Sequence, residues 1–322
     1  MWRLKYTVLL ILCLLGSVAH AQEQALLKVA DMKLSFKTLF NAAGLLKDVP
    51  YTLEFFDFAS AADSNQALNA RAVDIAGGTD APLVFALAAG APLKAVAVSH
   101  IVWDSTSKGF GTAILTNSHS PLRSVAELKG KRIATVKGSS GQYLTVKALE
   151  AAGLHSSDVE FVYLSPADSR TVLLNGQVDA WSTWMPYTGI SRFYDKSNML
   201  VDGRNVQPLS VYVVANDQAV AGKQAMIQDF VQRYAKAAEW ANNHPDEYAA
   251  VQAKTTGIAV DVYKLMNAGS RILVGAVENQ DVADLQDIAD TYLREGVITK
   301  PVNANDGVFQ DYLGAQAGTP HE

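Results

Sequence analysis

The chain has 322 residues, of which 49% are hydrophobic and 18% charged, and its formal net charge is −5 at pH 7. This length is ample for a large hydrophobic core and corresponds to one large or two medium domains. A mildly acidic chain is a poor partner for nucleic acids and anionic membranes, so any anion that it binds must be held locally by backbone and hydroxyl donors.

The first 21 residues have the pattern of a secretory signal peptide. Arg3 and Lys5 make the start positive, the stretch 8–15 is apolar, and Ala19-His20-Ala21 is a small-x-small cleavage site. The apolar stretch is shorter than the roughly 20 residues that a membrane span needs. We therefore expect a secreted protein that begins at Gln22 after cleavage.

The mature chain is predicted to have no cysteine, because Cys13 is the single cysteine and lies within this signal. Without a thiol there is no disulfide, no thiolate nucleophile and no Cys–zinc site. The histidines of the mature chain show neither metal-ligand spacing nor a nearby nucleophile pattern: they are His100, His119, His155, His244 and His321. The sequence thus predicts no catalytic residue, no metal site and no cofactor.

The first part of the mature chain alternates between predicted strands and helices. Strands are predicted at 26–30, 51–58, 73–76 and 93–101, and helices at 36–46, 61–70 and 83–89. This βαβαβαβ order predicts an α/β fold with a parallel, doubly wound sheet.

A second α/β series begins at Lys131, after a predicted strand at 112–116. Its predicted strands are 132–136, 159–164, 178–182, 199–201 and 209–215, and its predicted helices are 142–152, 167–174 and one after Pro186. The chain from 219 to 295 is predicted to be almost wholly helical, with segments at 230–242, 246–253, 260–272 and 281–294. The end, 302–322, is polar and predicted to be loosely held.

The two series share a plan, which indicates two lobes. Val73-Asp-Ile-Ala and Val178-Asp-Ala-Trp each follow a helix of small residues and precede a polar turn. Strands near 112–116 and 209–215 would join the two units, so the chain would cross between lobes twice. The alternative is one continuous α/β domain.

The turn Gly138-Ser-Ser-Gly141 has the chemistry of an anion site. It follows a predicted strand, supplies N-cap hydroxyls and opens a predicted helix. A helix that starts this way offers free N–H groups, hydroxyl donors and the positive end of the helix dipole. The alternative is an ordinary capped helix in which the serines only stabilise the fold.

Six motifs follow one another along the mature chain. They are Asn69-Ala-Arg-Ala-Val-Asp-Ile-Ala-Gly-Gly-Thr-Asp-Ala-Pro, Ala88-Ala-Gly-Ala-Pro-Leu, Ser124-Val-Ala-Glu-Leu-Lys-Gly-Lys-Arg-Ile-Ala, Lys137-Gly-Ser-Ser-Gly-Gln-Tyr-Leu, Leu164-Ser-Pro-Ala-Asp-Ser-Arg and Gly176-Gln-Val-Asp-Ala-Trp. In this order they resemble the periplasmic substrate-binding proteins of ABC importers for aliphatic sulfonates and taurine, and the resemblance covers nearly all of the mature chain. Nitrate, sulfate-ester and thiamine-precursor binding proteins are also similar.

The resemblance implies a periplasmic-binding-protein fold, with two lobes, a two-crossing hinge and the ligand in the cleft. Lobe one would comprise 22–114 plus 212–322, and lobe two 115–211. The implied function is capture of an organosulfonate anion and its delivery, by a monomer, to an ABC permease in the inner membrane. The alternative ligands are nitrate, a sulfate ester and a thiamine-type heterocycle. A secreted hydrolase is the other class of function, but the chain lacks a Gly-x-Ser-x-Gly elbow.

The same resemblance implies which residues face the ligand. Ser139, Ser140 and Gly141 are predicted to bind the sulfonate group. A sulfonate is a permanent anion with three acceptor oxygens, so hydroxyl and N–H donors suit it. The other implied ligand-facing residues are Lys33 and Ser35 in the first loop, the turn Gly78-Thr79-Asp80, and Trp184. Thr79 is expected to donate to the ligand, whereas Asp80 is expected to cap its helix, since a carboxylate repels an anion.

The pair Trp184-Met185 bears on the organic part of the ligand. The indole of Trp184 is predicted to stack on that part, with core packing as the alternative. The family usually has Asp where this chain has Met185. Loss of that carboxylate argues against a substrate that needs an amine partner, such as taurine, and favours an alkyl or aromatic group.

Two further residues have open roles in the sequence. Arg170 is either a cation for the ligand, with Lys33 as a second one, or it forms a structural pair with Asp168 or lies on the surface. Trp103 either covers the cleft or lies on the surface.

Overall fold

The computed structural model describes residues 25–32, 36–58, 60–105, 107, 111–206 and 209–316. The predicted signal peptide, Lys33 and Ser35 lie outside these residues. Eleven strands are found in the described ranges: β1 (Leu26–Asp31), β2 (Thr52–Asp57), β3 (Ile75–Thr79), β4 (Leu93–Trp103), β5 (Thr112–Thr116), β6 (Arg132–Thr135), β7 (Glu160–Tyr163), β8 (Ala180–Trp184), β9 (Asn198–Asp202), β10 (Leu209–Asn216) and β11 (Ser270–Gly275).

The strands alternate with helices along most of the chain. The described α-helices are α1 (Phe36–Ala42), α2 (Ala61–Asn69), α3 (Asp80–Ala88), α4 (Ser140–Ala151), α5 (Pro166–Leu174), α6 (Tyr187–Tyr194), α7 (Asp217–Gly222), α8 (Gln224–Asn243), α9 (Pro245–Thr256), α10 (Val260–Asn267) and α11 (Asn279–Arg294). Short 3₁₀ helices are described at Val125–Leu128, Ser156–Asp158, Gly203–Asn205, Ala304–Gly307 and Gln310–Gln316. None of the helices in the described ranges is long and apolar enough to cross a bilayer.

The strands form two separate sheets. The first has six strands in the order β11-β4-β10-β3-β1-β2, and the second has five in the order β7-β6-β8-β5-β9. The chain leaves the first sheet after β4 and returns to it at β10, so it crosses between the sheets twice. The lobe boundaries after residues 114 and 211 fall inside β5 and β10, and they stay a prediction.

The first sheet is mixed, whereas the sequence predicted a parallel one. Strands β1, β2 and β3 are parallel, but β10 lies between β3 and β4 and is antiparallel to both. The cause is the return of the chain from the second sheet, because β10 enters at the edge where β3 and β4 end. The second sheet repeats this arrangement, with β5 antiparallel to β8 and β9 beside the parallel strands β6, β7 and β8.

Two predictions for the C-terminal region are wrong. The segment 260–272 is not one helix, because α10 ends at Asn267, Gly269 has a positive φ of 69°, and β11 pairs antiparallel with β4. The chain after 302 is held firmly as far as it is described: the N–H of Phe309 donates to the Ala95 carbonyl at 2.9 Å, and Tyr312 is fully buried. Tertiary pairing and burial decide both cases, and neither is visible in the local pattern.

Helices cover both faces of each sheet, which leaves the strand ends free to build a site. Residues of α2, α3 and α11 form a buried cluster on one face of the first sheet, while α1 and α8 pack on the other face. Two smaller clusters cover the faces of the second sheet. The strands β1 to β4 and β6 to β8 therefore have their carboxyl ends exposed to neighbouring loops, where ligands of open α/β sheets bind.

The parts of the chain that form the two sheets also touch where α6, next to the second sheet, meets α10, next to the first. A Cβ at Gly189 would overlap Met266 and lie 3.0 Å from Val262, so α6 approaches α10 closely only because position 189 is glycine. The N–H of Ala259 donates to the Tyr194 hydroxyl at 3.1 Å. This contact holds the carboxyl edges of the two sheets toward each other.

Candidate functional site

Two of the predicted turns meet face to face across the two sheets. The Ser140 hydroxyl, at the start of α4, donates to Asp80 Oδ1, at the start of α3, at 3.1 Å. Each residue is only 5% exposed. The turns that end β3 and β6, which belong to different sheets, are thus in direct contact.

The turn before α4 is capped by Ser139. Its hydroxyl donates to the Val136 carbonyl at 2.7 Å and accepts from the Gln142 N–H at 3.3 Å. The Gly138 N–H donates to Gln142 Oε1 at 2.8 Å. Both hydrogen-bonding roles of the Ser139 hydroxyl are therefore used within the turn, which is what the capping alternative expected for this serine.

Gly141 is required by packing against the second sheet. A Cβ at this position would lie 2.7 Å from the Ser182 carbonyl oxygen and 2.9 Å from Thr135 Oγ1. The Gly141 carbonyl accepts hydrogen bonds from the hydroxyls of Ser182 at 2.7 Å and Thr145 at 2.9 Å. The close packing of Gly141 against β8 fixes the direction of α4, so that the first turn of α4 faces α3.

Ser140 is the residue at the start of α4 whose hydroxyl donates outside the turn. It is the first residue of α4, and its hydroxyl points at Asp80 instead of capping the helix. Within the described part of the chain, the N–H groups of Ser140 and Gly141 have no acceptor, as is usual in the first turn of a helix. Two N–H groups, one hydroxyl and the positive end of a 12-residue helix therefore converge here.

Asp80 brings a carboxyl group to the same place. It accepts from the Ala81 N–H at 2.7 Å as well as from Ser140. Burial raises the pKa of Asp80 to about 6, with a further rise from the charge of Asp284, while the two hydrogen bonds lower it. The group therefore titrates close to neutral pH, unlike an exposed aspartate.

The other residues of this turn are part of β3. Gly78 pairs with Tyr212 and Thr79 pairs with Val211 across the antiparallel β10. Pairing with β10 explains why the strand continues to Thr79 and why α3 begins at Asp80, earlier than the predicted start at 83. Asn65, which the sequence pattern did not single out, lies beside Gly78. Its Nδ2 donates to the Pro82 carbonyl at 3.2 Å, while its buried Oδ1 has no partner among the described residues.

Helix α11 holds the start of α4 against the first sheet. The Tyr292 hydroxyl donates to the Ser139 carbonyl at 2.7 Å, and the Tyr143 hydroxyl donates to the Asp287 carboxylate. Both tyrosine side chains belong to the buried cluster of the first sheet, although Tyr143 lies on α4. Phe85 of α3 completes the contact, because its ring fills the space where Gly138 would carry a Cβ. The sequence did not assign these residues to the site.

Trp184 ends β8 at the same edge of the second sheet, and Met185 follows it. Trp184 is half-buried and makes an edge-to-face contact with Tyr187, with ring centroids 6.4 Å apart. Met185 lines a cavity of about 50 Å³ between the two units. The other residues that line it are Ile101, Ala241, Asn242, Pro245, Tyr248, Gln252, Asn267, Ser270 and Ile272. Contact of either residue with a ligand stays a prediction.

Arg170 has a structural partner, but this is Asp195 rather than Asp168. Its guanidinium makes two hydrogen bonds to the Asp195 carboxylate, at 2.6 and 2.7 Å. Asp168 instead accepts from the Ser165 hydroxyl at 2.7 Å. Trp103 ends β4 and is half-buried, and its indole N–H has no acceptor among the described residues.

The first sheet adds a second buried acid at its carboxyl edge. Asp31 ends β1 and accepts from the N–H groups of Phe36 at 2.9 Å and Lys37 at 3.1 Å, so it caps α1. Burial raises the pKa of Asp31 to about 6 against the effect of these hydrogen bonds. In the described ranges no group of three or more His, Cys, Asp or Glu residues is placed to hold a metal ion.

Comparisons with known proteins bear on the family and on the fold. A family model described as NMT1/THI5 like matches residues 44–248. A putative aliphatic sulfonates-binding protein of Escherichia coli (strain K12) is 29% identical over 259 residues, which are 80% of this chain and 79% of the relative.

Two solved structures share the fold over most of their length. The periplasmic aliphatic sulphonate binding protein SsuA from Escherichia coli is similar with a TM-score of 0.80 and 27% identity, covering 92% of this chain and 95% of that one. The alkanesulfonate-binding protein SsuA from Xanthomonas axonopodis pv. citri, bound to MOPS, has a TM-score of 0.79 and 26% identity, covering 89% and 99%. The fold is therefore of the two-lobed periplasmic-binding-protein type.

Proposed function

Because the chain belongs to the NMT1/THI5-like family, we propose that it is the periplasmic solute-binding component of an ABC importer. It captures an organosulfonate anion between its two lobes and delivers it, as a monomer, to the permease. The predicted signal peptide of 21 residues would direct the protein to the periplasm. The relatives named as sulfonate-binding proteins support this proposal, since they match along most of this chain.

The observation that carries the proposal is the start of α4. Its N–H groups at Ser140 and Gly141 have no acceptor among the described residues. Together with the Ser140 hydroxyl, they are donors suited to the three oxygens of a sulfonate. These donors keep their protons at any ordinary pH, and a sulfonate keeps its charge over the same range. The start of α3 faces them from the other sheet, so an anion held here would touch both lobes.

The remaining ligand-facing predictions belong to the same proposal. Trp184 would cover the organic group with its indole, and Met185 would offer it an apolar wall. Lys33, Ser35 and Thr79 would add donors from lobe one. Since Met185 carries no charge, we propose an alkyl or aryl sulfonate rather than an amino sulfonate.

Three alternative ligands keep the receptor role. Nitrate and sulfate esters present acceptor oxygens to the same donors as a sulfonate. A thiamine-type heterocycle with a cationic ring would instead be favoured by the Asp80 carboxylate. These ligands differ in charge and shape, so direct binding measurements separate them.

The test is a thermal-shift panel on the mature protein with alkanesulfonates, aryl sulfonates, alkyl sulfates, nitrate and thiamine. A ligand at 100 times its dissociation constant stabilises the folded state by about 2.7 kcal/mol. We expect this effect from sulfonates and recovery of the ligand unchanged after long incubation. If only another class of compound in the panel stabilised the protein, that class would replace sulfonates as the proposed ligand. Chemical conversion of the ligand would indicate an enzyme.

A further inference from the structure

The Ser140 hydroxyl, which is the proposed donor to the sulfonate, already has an acceptor in this structure. We propose that Asp80 is an internal competitor for the anion: its carboxylate occupies the Ser140 hydroxyl and repels the ligand, so that sulfonate binds preferentially when Asp80 is protonated. This inference rests on the proposed function and adds a control by pH. Its basis is the contact of 3.1 Å between Ser140 Oγ and Asp80 Oδ1.

Geometry forces the two anions together. An oxygen that accepts from the Ser140 hydroxyl lies about 3 Å from Ser140 Oγ, so it lies within about 6 Å of the Asp80 carboxylate. Asp80 cannot readily turn away, because it is 5% exposed and is held by the Ala81 N–H at 2.7 Å. In such a buried place water screens the repulsion poorly, and the unprotonated carboxylate therefore weakens binding.

The neighbours of Asp80 favour its neutral form. From α11, the negative charge of Asp284 raises the pKa of Asp80, and burial raises it more, to about 6. Among the described residues, the other titratable groups that face Asp80 are three tyrosines, Tyr143 of α4, Tyr212 of β10 and Tyr292 of α11, and the charge of Asp80 helps to raise their own pKa values. The tyrosines therefore stay neutral, and a bound anion would raise the pKa of Asp80 further.

The sign of the pH effect follows from this arrangement. Below about pH 6 Asp80 is neutral, and both the repulsion and the competition for Ser140 fall. If only the neutral form admitted the ligand, affinity would drop about thirtyfold between pH 5 and pH 7.5, which is the upper limit of the effect. A protonated Asp80 can also donate a hydrogen bond to a sulfonate oxygen, which acts in the same direction.

The test is calorimetric titration with butane-1-sulfonate, an anion at every pH used, in sulfonate-free buffers of equal ionic strength from pH 5 to pH 8. Wild type should bind more weakly as the pH rises through about 6. Asp80→Asn keeps an acceptor for Ala81 and Ser140 without the charge, so it should bind independently of pH and at least about tenfold more tightly than wild type at pH 7.5. The control Asp217→Asn, at the opposite edge of the sheet, should follow wild type.

The outcomes separate this inference from the proposed function. Binding by wild type that is flat with pH, or weaker binding by Asp80→Asn at pH 7.5, would overturn the inference and leave the proposed function in place. No binding of any sulfonate by wild type at any pH would overturn the proposed function itself. If Asp80→Asn does not fold, proton uptake by wild type decides. Titrations at pH 7 in buffers of different ionisation enthalpy should show that protons are taken up when the sulfonate binds. Absence of proton uptake would refute the inference.

Discussion

The starts of α3 and α4 are built on one plan and carry opposite chemistry. Each helix follows the carboxyl end of a strand, β3 or β6, that pairs in parallel with at least one neighbour, and each begins with a polar residue. Helix α3 starts with a buried carboxyl group at Asp80, which accepts from the Ala81 N–H. Helix α4 starts with hydroxyls, of which Ser139 caps the helix and Ser140 reaches across to the other lobe.

The difference shows where an anion can be held. The positive end of α3 is offset by its own aspartate, whereas α4 has no charged group in its first turn. The same backbone arrangement therefore gives one end that accepts an anion and one that opposes it. Placed face to face, the two ends make a site whose affinity depends on the charge of Asp80.

The largest expected effect is on folding stability, and it tests whether close packing at Gly141 sets the direction of α4. Gly141→Ala should lower the free energy of unfolding by about 2–3 kcal/mol, because the new Cβ would press on the Ser182 carbonyl at 2.7 Å. Chemical denaturation measures this loss. Gly222→Ala at the end of α7 is the matched control, since its Cβ would meet nothing within 4 Å and should cost almost no stability. Equal losses in the two variants would show that close packing at Gly141 is not what directs α4.

The next effect concerns the donor of α4. Ser140→Ala removes a hydrogen bond to a charged group, which is worth about 1.5–3 kcal/mol, so butane-1-sulfonate should bind at least about tenfold more weakly. Calorimetry at pH 5, where Asp80 competes least, gives the cleanest comparison with wild type. Unchanged affinity would remove the Ser140 hydroxyl from the site and leave only the backbone of α4 as the holder of the anion.

The smallest effect separates capping from binding. Ser139→Ala should cost about 1 kcal/mol of folding stability and Ser139→Gly only a few tenths, because this hydroxyl is the N-cap of α4. Sulfonate affinity should stay within about twofold of wild type in the Gly variant. A large loss of affinity there would mean that Ser139, despite its bonds within the turn, also serves the ligand.

These serines also show what the sequence can and cannot predict. The turn Gly138-Ser-Ser-Gly141 and the strand and helix around it are visible in the pattern, because hydrophobic period and turn residues are local properties. Which serine caps and which points outward depends on the first turn of the helix, and a shift of one residue exchanges their roles. The structure places Ser139 at the N-cap.

Contacts between distant segments were beyond the sequence pattern. Tyr292 bonds to the carbonyl of Ser139, 153 positions away in the chain, and no local signal marks either partner. The early start of α3 at Asp80 and the strand Ser270–Gly275 have the same origin, since pairing with β10 and β4 decides them. The family resemblance supplied the two-lobed fold, but the competition between Asp80 and a ligand for Ser140 follows only from the geometry.

The most direct test is a crystal structure of the mature protein grown at pH 5 with 3-bromopropane-1-sulfonate. We expect the sulfonate oxygens within hydrogen-bond distance of the N–H groups of Ser140 and Gly141 and of the Ser140 hydroxyl. The anomalous signal of bromine should place the organic end beside Trp184 and Met185. A sulfonate bound elsewhere, with the Ser140–Asp80 hydrogen bond intact, would contradict the account.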